Sequence, residues 1–429
     1  MTGTGDDTIF ALSSGSPPAA IAVVRISGPA AARALQALAG RLPPPRRAVS
    51  MTLRDEACDL LDRALVLWLP GPATATGEDT AELHLHGGRA VIAAIERALA
   101  ALPGLRPARP GEFTRRAFVH GKVDLVEAEG LADLLAAETE LQRQAAIRAV
   151  GGLLSAEVAG WRDRVLHLSA ELEAALDFSD DDDVAALPQS FTWNIAALGE
   201  EIGTRLAAPR AELLREGLRV VLAGPPNAGK STLFNALVDA EAAITSPVAG
   251  TTRDVIARPV AIEGIPLLFI DTAGLRTDGS DEIERVGIER ASAELDRADL
   301  ILWLGPDAET PAGAWPVAAK ADLDLAGHTD SARHRVSAVT GEGIATLRKA
   351  IVAQAKQAMP RPGEAALNQR QARLLGEARD ALTTTETITD PLLLAEHLRL
   401  ARIAFDRLLG RASTEDMLDT LFSRFCIGK

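Results

Sequence analysis

Two cysteines in 429 residues, Cys58 and Cys426, are too few to frame a disulfide-stapled fold, and a reducing cytoplasm is the expected setting. No unbroken apolar run approaches the roughly 20 residues of a membrane span, so no membrane partner is expected. Residues 1–12 lack the basic leader and long apolar stretch of a secretory signal and carry Asp6 and Asp7 instead. An excess of positive charge is missing too. Lys and Arg number 45 against 59 Asp and Glu, a net charge of −14, which argues against a surface that grips nucleic acid by bulk charge. Any RNA contact has to be local. The remaining composition, 47% hydrophobic and 24% charged, excludes a wholly disordered or fibrous chain. At about 150 residues per domain, the length leaves room for roughly three domains.

Residues 1–120 mix β-like runs at 20–26, 64–69 and 81–85 with helical patterns at 29–39 and 89–102, which predicts an α+β domain. The segments 42–47 and 103–111 read as loops. Over 121–215 the signal changes. Leu125, Leu131, Leu134, Leu135 and Leu141, then Val158, Val165, Leu168 and Leu172, recur at spacings that place them on one helical face. The acidic run 180–183 reads as a solvated turn and helix cap, because nothing in its spacing fixes cation geometry. Residues 216–357 alternate β-like runs (218–223, 266–271, 300–305, 317–320, 334–337) with helical segments, the pattern of a parallel sheet covered on both faces. Helical patterning returns over 358–429. The expected fold is therefore multidomain: an N-terminal α+β domain, a discontinuous all-α helical domain, and an α/β P-loop domain inserted between its two halves.

Gly224 to Thr232 match G-x-x-x-x-G-K-[ST] between a predicted strand and a predicted helix. In that context backbone N–H groups of Asn227, Ala228, Gly229 and Thr232 cradle phosphates, Lys230 reaches the β- and γ-phosphates, and Ser231 offers a hydroxyl to Mg²⁺. Thr251 and Thr252 lie about twenty residues on, and Thr252 is expected to complete the Mg²⁺ shell. Asp271-Thr272-Ala273-Gly274 closes an apolar run, placing Asp271 at a strand tip and the Gly274 N–H near the γ-phosphate. Lys320-Ala321-Asp322 and Ser337-Ala338 end two further runs. A carboxylate there accepts from guanine N1–H and its 2-amino group, so Asp322 argues for GTP over ATP. Two departures stand out: Ala319 occupies the place of the Asn in N-K-x-D, and Leu275 that of a water-orienting Gln.

Together with Thr8-Ile9, Val24-Arg25-Ile26-Ser27-Gly28, Gly77-Glu78-Asp79, His86-Gly87-Gly88, Pro110-Gly111-Glu112-Phe113, Arg116-Ala117-Phe118 and the terminal Phe425-Cys426-Ile427-Gly428-Lys429, these motifs resemble the MnmE (TrmE) family of tRNA-modification GTPases over essentially the whole length. The resemblance implies an N-terminal folate-binding domain that forms a homodimer and a potassium-stimulated G domain. It also implies an FAD-containing partner of the GidA/MnmG type. With that partner the family adds a (carboxymethyl)aminomethyl group to C5 of the wobble uridine of certain tRNAs, using a methylene-tetrahydrofolate carbon. Carried over residue by residue, a tetrahydrofolate derivative meets Arg25, Glu82, Lys122 and Lys429. K⁺ is held by Asn227, Ser246, Val248 and Thr251, and Glu284 orients the attacking water. Cys426 is tied to the modification reaction, with a structural thiol as the other reading. The Gly-rich turn that many members carry reads Pro17-Pro18-Ala19-Ala20 here. His84 and His86, two apart on a strand, read as local packing because no third metal ligand stands near them.

The rival function is a ribosome-assembly or regulatory switch GTPase. No R-G-F or G-x-x-G RNA module accompanies the G motifs, which disfavours it. With Leu275 unable to hydrogen-bond water, a monovalent cation at Asn227 is expected to supply the charge of an arginine finger. GTP hydrolysis should then run much faster in potassium than in sodium, and Asn227→Ala should erase that difference. Glu284→Ala should slow turnover with little change in GTP affinity. Equal steady-state rates of the unaltered protein in the two salts would refute this mechanism.

Overall fold

The computed structural model describes residues 7–177, 187–207, 211–238, 256–272, 292–323, 332–359, 366–385, 388–412, 414–423 and 425–428. It divides into two compact units: Met1–Ala132 with Ser155–Ala159 and Asp406–Lys429, and Asp133–Leu154 with Gly160–Phe405. Among the described residues no helix is long and apolar enough to cross a membrane.

The first unit is built on a six-stranded sheet of β1 (Thr8–Leu12), β2 (Ile21–Ser27), β3 (Val49–Arg54), β4 (Leu60–Leu69), β5 (Thr80–His86) and β6 (Leu105–Pro107), in the order β3-β4-β5-β2-β1-β6. All pairings are antiparallel except β1 with β6. Because side chains alternate along a strand, Ala22, Val24 and Ile26 of β2 and Ala81, Leu83 and Leu85 of β5 enter one core with Val66, Met51 and Leu53. Helix Ala31–Ala39 adds Ala34, Leu35 and Leu38, and helix Arg89–Ala100 adds Ile92, Ile95 and Leu99, at the three- and four-residue spacings of one helical face. Each fully buried Leu or Ile contributes about 1.5–3 kcal/mol. The same alternation turns Arg25 and Glu82 to the opposite side. Strands β1, β3 and β6 were not among the expected runs, and β6 falls inside the expected loop 103–111. It is a three-residue edge strand, too short for a periodic signal, and an edge tolerates its terminal Pro107.

A buried ionic network ties this unit together. Arg116, 6% exposed, donates to Asp7 Oδ1 at 2.7 Å, to the Asp7 carbonyl at 2.9 Å, to Glu78 Oε1 at 3.0 Å and to Glu112 Oε1 at 3.4 Å. Arg106 bonds both Asp7 and Glu112, and Ser27 Oγ donates to Glu78 Oε2 at 2.7 Å. Burial pushes the Glu112 and Asp7 carboxyls up, but the Arg106 hydrogen bonds and the two guanidinium charges outweigh it, and both end below the ordinary carboxylate range.

The C-terminal run docks on the same unit. Phe422 and Phe425 pack with Leu125, Ala128 and Phe118, and Ser13 Oγ donates to the Gly428 carbonyl at 2.8 Å. Gly111, at φ +68°, caps helix Glu112–Val119, and a Cβ on it would lie 2.2 Å from the Phe422 carbonyl oxygen, so no larger residue fits.

The second unit carries another six-stranded sheet, of β7 (Leu218–Ala223), β8 (Ile256–Ile262), β9 (Ile265–Asp271), β10 (Leu300–Trp303), β11 (Trp315–Ala318) and β12 (His334–Arg335), ordered β12-β11-β10-β7-β9-β8. It is parallel except for β8, an edge strand joined to β9 by Glu263-Gly264, both at positive φ. Pro259 hid β8 from the sequence reading, since a proline there fits only an edge. Helix Gln189–Leu206 packs Phe191, Ile195, Leu198 and Ile202 against helix Gln369–Thr384, which buries Leu374, Leu375, Ala378 and Leu382. Residues 121–177 form three helices, Leu125–Ala136, Glu140–Val150 and Leu153–Asp177, and Leu135 is exposed rather than on the packed face. The acidic run 180–183 lies outside the described residues.

Removing the Arg116 guanidinium strands partly buried carboxylates. Arg116→Leu should destabilise the chain by about 3–5 kcal/mol at pH 7. Carboxylates held low in the folded state stabilise it above their unfolded pKa of about 4 and lose that contribution as pH falls through the depressed values. The variant, whose carboxyls are no longer held low, has less of that contribution to lose, so its stability deficit against the unaltered protein should shrink between pH 7 and pH 4. Urea titrations at pH 7 and pH 4 measure both, and a loss under about 1 kcal/mol at pH 7 would show that the network adds nothing net.

Candidate functional site

β7 is buried along its length and stops at Ala223, where Gly224 takes φ +143° with the Leu304 backbone 2.9 Å from its absent Cβ. The chain then turns through Asn227 at φ 61° and Gly229 at φ +95° into helix Lys230–Val238. Successive positive-φ residues point backbone N–H groups inward, the geometry that receives an anion at a helix N-terminus. Lys230 is 7% exposed and folds back over the loop, donating to the carbonyls of Gly224 at 2.9 Å and Pro225 at 2.8 Å. Ser231 and Thr232 are exposed on the first turn.

Asp271, 1% exposed, ends β9 opposite Leu222 of β7, and Thr272 Oγ1 donates to the Leu222 carbonyl at 2.8 Å. This clamps the carboxylate beside the phosphate loop. Lys320, at φ 61°, sends its ammonium to the Asn227 carbonyl at 2.7 Å. Asp322 Oδ1 accepts from Ser337 Oγ at 2.6 Å, and Ser337 is fully buried. That hydrogen bond, with a backbone N–H and the Lys320 charge, holds the Asp322 carboxyl below its usual value, so it is an ionised acceptor near neutral pH. A cavity of about 150 Å³ opens beside it, lined by Gly229, Thr232, Ala319, Lys320, Leu323 and Val339 among others, with Ala338 at its wall.

In the first unit Arg25 and Glu82 are direct cross-strand partners, Nε and Nη2 meeting Oε1 at 3.0 and 2.9 Å. Phe113 lies 5.8 Å below the guanidinium, and His84 Nε2 stands 3.4 Å from Glu82 Oε2. Lys122 follows helix Glu112–Val119, its Cε packed beside Gly77. Cys426 is exposed and belongs to this unit, whereas the phosphate loop belongs to the other. Ser246, Val248, Thr251, Thr252, Ala273, Gly274, Glu284 and Lys429 lie outside the described residues.

The structure thus gathers Asn227 to Thr232, Asp271, Thr272, Lys320, Asp322, Ser337 and Ala338 around one sheet end, and pairs Arg25 with Glu82. Sequence reading weighed His84 only beside His86 and took it for local packing, and did not connect it with Glu82, whose two-residue spacing from it places both on one face. His86 instead meets Asp62, at 2.7 Å from Nδ1 to Oδ1. Leu323 and Val339, large apolar side chains left 47% and 78% exposed, were also missed, and their signal is position, one residue after Asp322 and after Ala338.

A glycine-cradled loop opening a helix at the end of a largely parallel sheet, with an ionised carboxylate beside a cavity at the same sheet end, is the arrangement of a P-loop GTPase. Two family profiles cover the chain, "GTP-binding protein TrmE N-terminus" over residues 8–122 and "MnmE helical domain" over 125–426. It is 61% identical over 435 residues to the tRNA modification GTPase MnmE of Novosphingobium aromaticivorans, spanning 99% of this chain and 100% of that protein. It is 60% identical over 423 residues to the protein of the same name from Erythrobacter litoralis, with 99% and 100% covered. For that of Zymomonas mobilis the figures are 49% over 440 residues, 98% and 100%. The chain belongs to the MnmE (TrmE) family and is a tRNA modification GTPase.

Ser337 should set both the pose and the ionisation of Asp322. Ser337→Ala is expected to weaken GDP binding several-fold at pH 7. A group held low loses its charge only as pH falls through its depressed value, so the variant should lose affinity at higher pH than the unaltered protein. GDP titrations between pH 4 and 7 test this, and superimposable profiles would mean that Ser337 does not tune the carboxylate.

Proposed function

We propose that this chain is the GTP-hydrolysing subunit of a complex that modifies C5 of the wobble uridine in certain tRNAs, with a (carboxymethyl)aminomethyl group as the product. In this reading an FAD-containing partner of the GidA/MnmG type supplies redox chemistry, and a methylene-tetrahydrofolate supplies the carbon. The observation that carries it is the seating of the C-terminal run. The Gly428 carbonyl is held by Ser13, just past β1, where Leu12 and Ala11 pair with Val24 and Arg25. Cys426 is thereby part of the unit that bears Arg25 and Glu82.

The residues present fit the implied groups. Ser231 and Asp271 are hard oxygen donors beside the phosphate loop, suited to Mg²⁺, which when bound neutralises phosphate charge. The exposed amide of Asn227 suits K⁺. Arg25 can meet a glutamate-tail carboxylate, and Glu82, whose Oε2 has only the long His84 contact among the described residues, retains capacity to accept pterin N–H groups. Residues 1–120 are read as the folate-binding and dimerising domain, 121–215 and 358–429 as the helical domain, and 216–357 as the inserted G domain.

Bulk tRNA from cells lacking this protein should lose the modified wobble uridine, measured by nucleoside mass spectrometry. Complementation with Cys426→Ser should leave it unmodified while the purified variant keeps its GTPase rate. Folate titrated into the full-length protein should bind. Unchanged tRNA in the deletion strain would favour the switch-GTPase reading instead.

A further inference from the structure

Asp322 marks one end of the base cavity, the end that takes the six-membered ring, because its carboxylate accepts from N1–H and a 2-amino group. Gly229 and Thr232, on the phosphate loop and the helix behind it, also line the cavity and mark its phosphate side. A base joined to its ribose and phosphates must turn its five-membered ring toward that phosphate end. Ala319 stands there, its Cβ 3.7 Å from where a Cβ on Gly229 would sit.

The five-membered ring offers one hydrogen-bonding edge atom, N7, an acceptor that needs a donor. A methyl group provides none. The neighbouring ammonium of Lys320 is directed to the Asn227 carbonyl at 2.7 Å, and the Thr232 hydroxyl sits on the first turn of the phosphate-site helix. Leu323 and Val339 add only apolar surface. We infer that Ala319 makes this site, as its described residues line it, blind to N7: the protein reads guanine through its six-membered ring, the edge that carries N1–H and the 2-amino group, and accepts 7-deazaguanine nucleotides as well as guanine ones. This rests on the cavity being the guanine site, and it adds which edge of the base is read.

The test uses the full-length protein with Mg²⁺ and displacement of a fluorescent GDP by GDP, 7-deaza-GDP, IDP and XDP. GDP and 7-deaza-GDP should bind within about twofold of each other, since no hydrogen bond is lost between them. Ala319→Asn should make 7-deaza-GDP about three- to tenfold weaker than GDP, the value of one restored bond. A preference for GDP over 7-deaza-GDP above about fivefold in the unaltered chain would overturn the inference, because another donor would then reach N7. That comparison decides by itself should the Asn variant fail to fold. The guanine reading has a separate control: IDP, without the 2-amino group, should bind more weakly than GDP, and Asp322→Asn should shift preference toward XDP. If neither holds, the base-site reading itself is wrong.

Discussion

The first unit depends on one guanidinium. Arg116 gathers carboxylates from the start of β1, from the loop before β5 and from the helix that follows β6, three places far apart in sequence. Desolvating these ions is costly, and a buried pair is weak evidence of net stability. What the arrangement does provide is registration, because each carboxylate has a geometric partner only when all three segments are in place. With β1 so fixed, Ala11 lies opposite Arg25, and Ser13 is positioned to receive Gly428. The apparent motifs around Glu78, Glu112 and Arg116 are therefore structural in their immediate role, and they serve the Arg25–Glu82 pair by holding its strands.

The second unit couples its base site to its phosphate site through backbone carbonyls. Lys320 holds the Asn227 carbonyl, and Lys230 holds those of Gly224 and Pro225. On the proposed reading, a γ-phosphate would compete for the Lys230 ammonium and exchange loop carbonyls for phosphate oxygens. The loop reaches that moment already turned inward by Gly224, Asn227 and Gly229, and little ordering cost remains.

Ala319 bears on the same site from the base side. Losing one donor lowers affinity, and within related complexes such losses appear mainly as faster dissociation. On that reading, the apolar surfaces of Leu323 and Val339, together with the Ser337-held Asp322, are among the described groups left to grip the ring.

Local sequence was enough to reveal the phosphate loop, the Lys320-Ala321-Asp322 run and the helical stretches on either side of the second sheet. Each of these rests on residues within a few positions of one another, so spacing alone carries the chemistry. Tertiary structure decided the rest. Whether Arg25 meets Glu82 depends on the register of β2 against β5, and whether Lys320 reaches Asn227 depends on how two loops converge at the end of the sheet. Short or proline-bearing edge strands, β6 and β8, carry too little pattern to be seen until a partner strand pairs with them. The contact from Ser13 to Gly428 spans 415 positions, and no local preference encodes it. It exists because the partly buried carboxylates around Arg116 and the apolar cluster of Phe118, Phe422 and Phe425 hold this closure of the chain in place.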